Sequence, residues 1–186
     1  MGLVPNIGKL AVLSDEAENW LTENLEKFSF QKNEVILREG QICNHLYFVK
    51  SGMLSGCYMH EEDEICNWIS IENDFATSFY SFISRTPSYE TITSIEPSEV
   101  QAISHSKLNQ LYVLFPETER AGRLILEDYY ARLEERNVFI QFKSEKERYD
   151  LFVQERPEVL ERAPLERIAT YLGMNQEALS QFRSQL

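Results

Sequence analysis

Cysteine (3), proline (6) and glycine (7) are all scarce in the 186-residue chain. So little glycine and proline excludes collagen-like and low-complexity chains. The cysteines, Cys43, Cys57 and Cys66, contain no C-x-x-C and show no paired spacing. That odd count argues against a disulfide framework and predicts buried thiols in a reducing compartment. His45, His60 and His105 add no metal-ligand spacing, so no metal, iron–sulfur centre or other cofactor is expected. No run of about 18 uncharged apolar residues occurs, so no membrane span is expected. Met1–Pro5 lacks the basic start and cleavage site of a secretion signal. Asn6 stands where a myristoylation site after Gly2 requires Ser or Thr. A cytoplasmic chain is expected. No Ser/His/Asp, Cys/His or His-x-His arrangement suggests an enzyme.

Basic residues are also few: 18 Lys and Arg against 30 Asp and Glu, a net charge of −12. The acid is concentrated in residues 1–114, where the net charge is −9. Residues 115–144 and 145–186 carry only −1 and −2. Phosphate repels such a chain as a whole, so any nucleic-acid contact must be local and C-terminal. The 43% hydrophobic share is enough for a packed core.

Ser14 to Phe28 reads as a helix capped by Ser14, with Asp15 and Glu16 in its first turn. From Phe30 to about Ser106, short β-rich runs alternate with turns. They are 34–37, 45–49, 53–59, 65–71, 90–95 and 99–103, with Gly40 and Gly52 at turns. This spacing predicts a sandwich or barrel, and the acidic tip Glu61–Glu64 predicts a solvated hairpin end. Lys107–Phe115 starts another helix, and Pro116 opens a long one through about Gln141. Leu126, Tyr129, Leu133, Arg136 and Ile140 follow a heptad step in which Arg136 is polar. A helix about 38 Å long exceeds what one small β-domain covers, which predicts a homodimer seam at Leu126, Tyr129, Leu133 and Ile140. The alternative is an amphipathic helix packed on its own domain. Ser144 and Glu147 fit a capping box, and Arg156-Pro157 a break.

Residues 163–186 carry the most specific signal. Pro164–Leu172 reads as a helix, Gly173-Met174-Asn175 as a turn, and Gln176–Arg183 as a second helix capped by Asn175. Leu165, Ile168, Ala169, Leu172, Leu179 and Phe182 supply the apolar contacts of a helix-turn-helix. The alternative is a helical hairpin that serves packing only.

The motif Leu-x-x-Ile-Ala-x-Tyr-Leu-Gly-Met-x-x-Glu-x-Leu-Ser-x-x-Arg at 165–183 resembles the DNA-binding helices of Crp/Fnr regulators, above all short Bacteroidetes-like members. Leu37–Gln41 and Leu46–Gly52 are similar to the first hairpins of that family's cyclic-nucleotide-binding-like jelly roll. The resemblance covers about residues 15–186. It implies an α+β chain in three parts: a jelly-roll sensor at 1–115, a dimerisation helix at 116–143, and a helix-turn-helix lacking a complete wing at 144–186. It implies a dimeric regulator of a palindromic double-stranded DNA operator. Gln176, Glu177 and Gln181 would read bases. Asn175 and Ser180 would meet phosphates or cap the helix, and Arg183 would meet a phosphate or a base.

Two departures qualify those expectations. Gln181 stands where the family often has Arg, and residues 165–186 hold only Arg167 and Arg183 as cations. Weak, salt-sensitive or lost DNA binding follows. That leaves open an interaction or ligand-binding module of the same fold. Cyclic-AMP-binding relatives use a Gly-Glu and an Arg-Ser pair, whereas this chain has Thr77-Ser78 and, near the second, Ser88-Tyr89. No cyclic-nucleotide binding is expected. Thr77, Ser78, Phe79 and Tyr89 are the candidate lining for another small-molecule effector.

Overall fold

The computed structural model describes residues 2–61 and 63–184. Met1, Glu62, Gln185 and Leu186 lie outside the described residues, so one position of the acidic tip and the outer ends of the first and last predicted parts do too. Helices α1 (Leu3–Leu10) and α2 (Asp15–Asn24) precede strands β1 (Glu26–Phe30), β2 (Val35–Leu37), β3 (His45–Ser51), β4 (Leu54–His60), β5 (Asp63–Ser70) and β6 (Phe75–Ala76). After α3 (Phe79–Ser84) come β7 (Glu90–Ser94) and β8 (Ser98–Ser104). Then follow α4 (His105–Leu114), α5 (Thr118–Phe142), α6 (Glu145–Glu155), α7 (Pro157–Arg162), α8 (Leu165–Leu172) and α9 (Gln176–Arg183). The fold is α+β, a jelly-roll sandwich followed by a long helix and C-terminal helices.

The strands form two four-stranded antiparallel sheets, ordered β1-β8-β3-β6 and β2-β7-β4-β5. Val49, Leu54, Val100 and Ala102 form one apolar cluster, and Phe48, Leu37, Leu46, Ile92 and Ile103 belong to another that takes in Leu3, Leu21 and Leu111 of the helices. Gly52 holds a positive φ of 92° between β3 and β4, as its turn position predicts. A side chain there would also strike Ser98.

Helix ends follow their caps. Ser14 accepts from the Ala17 amide and starts α2. Ser144 and Glu147 form the full capping box that starts α6. The expectation of a helix through Phe28 is corrected: α2 stops at Asn24, and Phe28 pairs with Val100 in β1. Phe28 and Phe30 share one face there with ring centroids 6.0 Å apart. Period-two alternation on the edge of β8 prevails over helical spacing. Helices α1 and α3, absent from the sequence reading, cover the sandwich through Leu3, Phe79 and Phe82. Pro164 caps α8 rather than beginning it.

The cysteine expectation is corrected too. Cys57 and Cys66 stand opposite each other in the β4–β5 hairpin and form a disulfide; Cys43 alone is free and buried. The argument for a reducing compartment loses its support. A register shifted by one residue would have set Cys57 against Asn67 instead.

Strand β4 breaks the in-out alternation: Leu54, Ser55, Gly56 and Cys57 are all buried. One face meets the sandwich interior and the other faces the C-terminal helices. A single apolar cluster joins Met53, Ile69 and Ile95 to Tyr149, Phe152, Ile168, Leu172 and Leu179. The C-terminal helices therefore pack on the sandwich as part of one core. No helix is long and apolar enough to cross a membrane among the described residues.

Candidate nucleic-acid interface and effector cavities

Helix α8 is strongly amphipathic, burying Ile168, Ala169 and Leu172. Gly173 then takes the left-handed conformation, with φ 64° and ψ 41°. Its amide donates to Thr170 O and that of Met174 to Ala169 O, which satisfies the last carbonyls of α8. Asn175 Oδ1 accepts from the Ala178 amide at 2.8 Å and opens α9. Leu179, fully buried, fixes α9 to α8. The opposite face carries Asn175, Gln176, Glu177, Ser180, Gln181 and Arg183, all exposed. Arg148 braces the turn from beneath, donating to Ile140 O, Lys143 O and Gly173 O.

The other arginines of this region turn inward. Arg167 reaches Ser55 Oγ at 2.7 Å, Cys57 Sγ at 3.1 Å and Glu64 at 3.0 Å. Arg156 donates to Ile69 O and contacts Asp74. Arg162 grips Glu72 through two nitrogens and also pairs with Glu96. This contact holds the Glu72 carboxyl down at about 2. Sequence reasoning counted these arginines as candidate phosphate ligands or left them aside. Their attraction to the acidic half of the chain was the available signal.

On α5, Tyr129 stacks on Phe79 at 3.9 Å, and Leu133 is half-buried facing the sandwich. Ile140 is half-buried beside the Gly173 turn, while Leu126 is exposed. Tyr130, Val138 and Phe142 are exposed apolar side chains on the same helix.

The four candidate effector residues do not converge. Thr77 Oγ1 donates to His45 O at 2.8 Å, and Ser78 Oγ pairs with Ser88 Oγ at 2.9 Å. Both hydroxyls are buried and spent on the fold. Tyr89 stacks on Tyr80 at the surface. Of these four, Phe79 borders two cavities, and Thr77 borders the larger of them. The larger, about 420 Å³, lies between β5, β6 and α5 and reaches Arg136 and Tyr171. The smaller, about 300 Å³, is lined mostly by apolar groups of α1–α5, Leu3, Ile7 and Leu111 among them. Beside the larger cavity, Trp68 Nε1 donates to Glu90 Oε2 at 2.9 Å, and burial pushes the Glu90 carboxyl pKa up. Among the described residues no group of three or more His, Cys, Asp or Glu is placed to hold a metal.

Residues 27–113 match the family model described as cyclic nucleotide-binding domain. No curated protein sequence matches the chain. Among solved structures, FixK2 of Bradyrhizobium japonicum is 18% identical, with TM-score 0.76 over 87% of this chain and 84% of that one. CLP of Xanthomonas campestris, a c-di-GMP-responsive global regulator, is 16% identical, with TM-score 0.72 over 92% and 91%. A CooA variant of Carboxydothermus hydrogenoformans is 17% identical, with TM-score 0.69 over 93% and 85%. These structures are Crp/Fnr-family regulators. The chain has their fold, and the stretch that matches the family model spans most of its sandwich.

Proposed function

We propose that the chain is a dimeric, DNA-binding transcription regulator of the Crp/Fnr type, working in the cytoplasm without catalytic activity. In this reading residues 1–115 sense an effector, 116–143 pair two copies and 144–186 bind a palindromic operator. The observation that carries it is the exposed polar face of α9 behind a tightly capped turn. Gln176, Glu177 and Gln181 read base edges in the major groove, and Asn175, Ser180 and Arg183 fix the register on phosphate. The pairing surface on α5 centres on Leu126, joined by the outward Tyr130, Val138 and Phe142, while Tyr129, Leu133 and Ile140 support it from the inner side. Selection from random duplex DNA at low salt tests the reading. A palindromic consensus is expected, and it is expected to vanish when Gln176, Glu177 and Gln181 are changed together to Ala. A consensus that survives the triple change removes these residues as readers.

The effector is not cyclic AMP. Thr77 and Ser78 bring no charge to a phosphodiester, and their hydroxyls are already bonded. Calorimetry with cyclic AMP and cyclic GMP is expected to show no heat of binding at micromolar concentration. Micromolar binding of either nucleotide overturns this point.

A second reading has its own observation. Arg156, Arg162 and Arg167 all face the sandwich, which leaves Arg183 as the cation of the exposed α9 face. This favours an interaction or ligand-binding module of the same fold. DNA selection without enrichment, with the dimer intact by light scattering, supports that alternative.

A further inference from the structure

Arg136 sits where a charge is costly. Its Nε donates to Asn67 Oδ1 at 3.3 Å, and its Nη2 to Cys66 O at 3.3 Å and Tyr171 O at 2.8 Å. Its guanidinium lies over the Tyr171 ring, 4.3 Å from the centroid. Every one of these partners is neutral. Its Nη1 is buried with no partner among the described residues. A buried cation without a counter-ion is a liability that folds seldom retain. Burial accordingly pushes the Arg136 pKa down.

The surroundings indicate what would complete it. Arg136 borders the 420 Å³ cavity, together with Lys9, Arg132 and Arg156 and only two acids, Asp74 and Asp128. A chain of net charge −12 therefore gathers a local surplus of positive charge around one cavity. Asp74 is already shared by Arg132 and Arg156, and Asp128 is paired with Arg132. Neither reaches Arg136. The lining also includes the apolar and aromatic side chains Trp68, Phe75, Phe79, Tyr129 and Leu133. Tyr129 and Arg136 are seven residues apart on α5, about 10 Å along the axis. A cavity of this size, lined by apolar side chains and a few charged ones, suits a small ligand.

We propose that this cavity binds a small organic acid, its carboxylate drawn to the Arg136–Arg132 end and its flat apolar body lodged against Phe79, Tyr129 and Leu133. A modest shift of the Arg136 side chain brings Nη1 to the carboxylate. The same guanidinium holds Tyr171 O at the end of α8 and Cys66 O in the β4–β5 hairpin. Occupancy therefore competes with the bonds that tie the helix-turn-helix to the sandwich, and couples the cavity to the disposition of α8. This deepens the proposed function and rests on its reading of the sandwich as an effector sensor.

Calorimetry on the full chain, with benzoate, 3-phenylpropionate and indole-3-acetate beside their neutral amides, tests it. At least one acid is expected to bind with a submillimolar Kd, at least tenfold tighter than its amide. Arg136→Gln is expected to erase the preference for the acid. Leu133→Trp, which fills the cavity and leaves the arginine bonds alone, is expected to abolish binding. It carries the test if Arg136→Gln does not fold by circular dichroism. Equal binding of acid and amide overturns the proposal, as does binding by none of the three acids. Undiminished binding by a folded variant of either kind overturns it as well. A chain that selects DNA and binds no acid loses this proposal and keeps the regulator reading. One that binds acid and selects no DNA does the reverse.

Discussion

Leu179→Ala is expected to lower the melting temperature by roughly 10 °C while the whole chain still melts in one transition. Leu179 is fully buried on the inner face of α9, in the cluster that also holds Ile168, Leu172 and Tyr149. Truncating such a leucine costs about 2–5 kcal/mol, because the transfer energy is lost and a cavity remains. For a chain of this length each kcal/mol moves the midpoint by roughly 2–4 °C. The single transition follows from the shared core: the cluster runs without a break into Met53, Ile69 and Ile95 of the sandwich. If α8 and α9 were a loosely tethered unit, the substitution would split the trace in two. Scanning calorimetry decides between these outcomes. A second, lower transition in the variant, with the main one unmoved, would show that the C-terminal helices are not part of the sandwich's core. On the proposed regulator reading, DNA selection by the variant is expected to weaken as well, since α9 loses its anchor to α8.

What the sequence disclosed and what it hid have physical reasons. Caps are local, so Ser14, Ser144 with Glu147, and Asn175 were legible where they stand. The Gly173 turn was legible for the same reason, since few residues other than glycine accept a φ of 64°. Strand pairing is not local. Residues 26–28 continued a plausible helical face until β8 supplied an edge for them, and no residue of that segment names its partner. The disulfide depended on hairpin register, where one residue decides whether Cys57 meets Cys66 or its neighbour. The candidate effector residues came from aligning positions, and the fold spends Thr77 and Ser78 on internal hydrogen bonds. Arg136 was visible as the polar member of a heptad step. Its meaning required knowing that Asn67, Cys66 and Tyr171 converge on it from two other parts of the chain.

Arg162→Ala is expected to loosen the C-terminal helices from the sandwich, at a cost of about 2 kcal/mol in low salt and less in high salt. Two nitrogens of Arg162 hold Glu72 at 2.9 and 2.8 Å, and Nη2 also reaches Gly52 O at 3.3 Å and pairs with Glu96. The groups are partly exposed, so solvent screens them and the figure sits well below that of a buried pair. The pH dependence identifies the contact. The Glu72 carboxyl, ordinarily near 4.5, is held at about 2, chiefly by its hydrogen bonds from Arg162. A depressed carboxyl stabilises the folded chain fully above its unfolded value and loses that contribution as pH falls through the folded one. The native chain is therefore expected to weaken between about pH 4.5 and pH 2, and Arg162→Ala to flatten that part of the stability curve. Hydrogen exchange adds the location, with faster exchange expected in α7, next to the lost contact. An unchanged acid limb in Arg162→Ala would mean that Glu72 takes its stabilisation from the Gly52 amide, which also donates to it at 2.9 Å, and that the arginine does not hold the helices down.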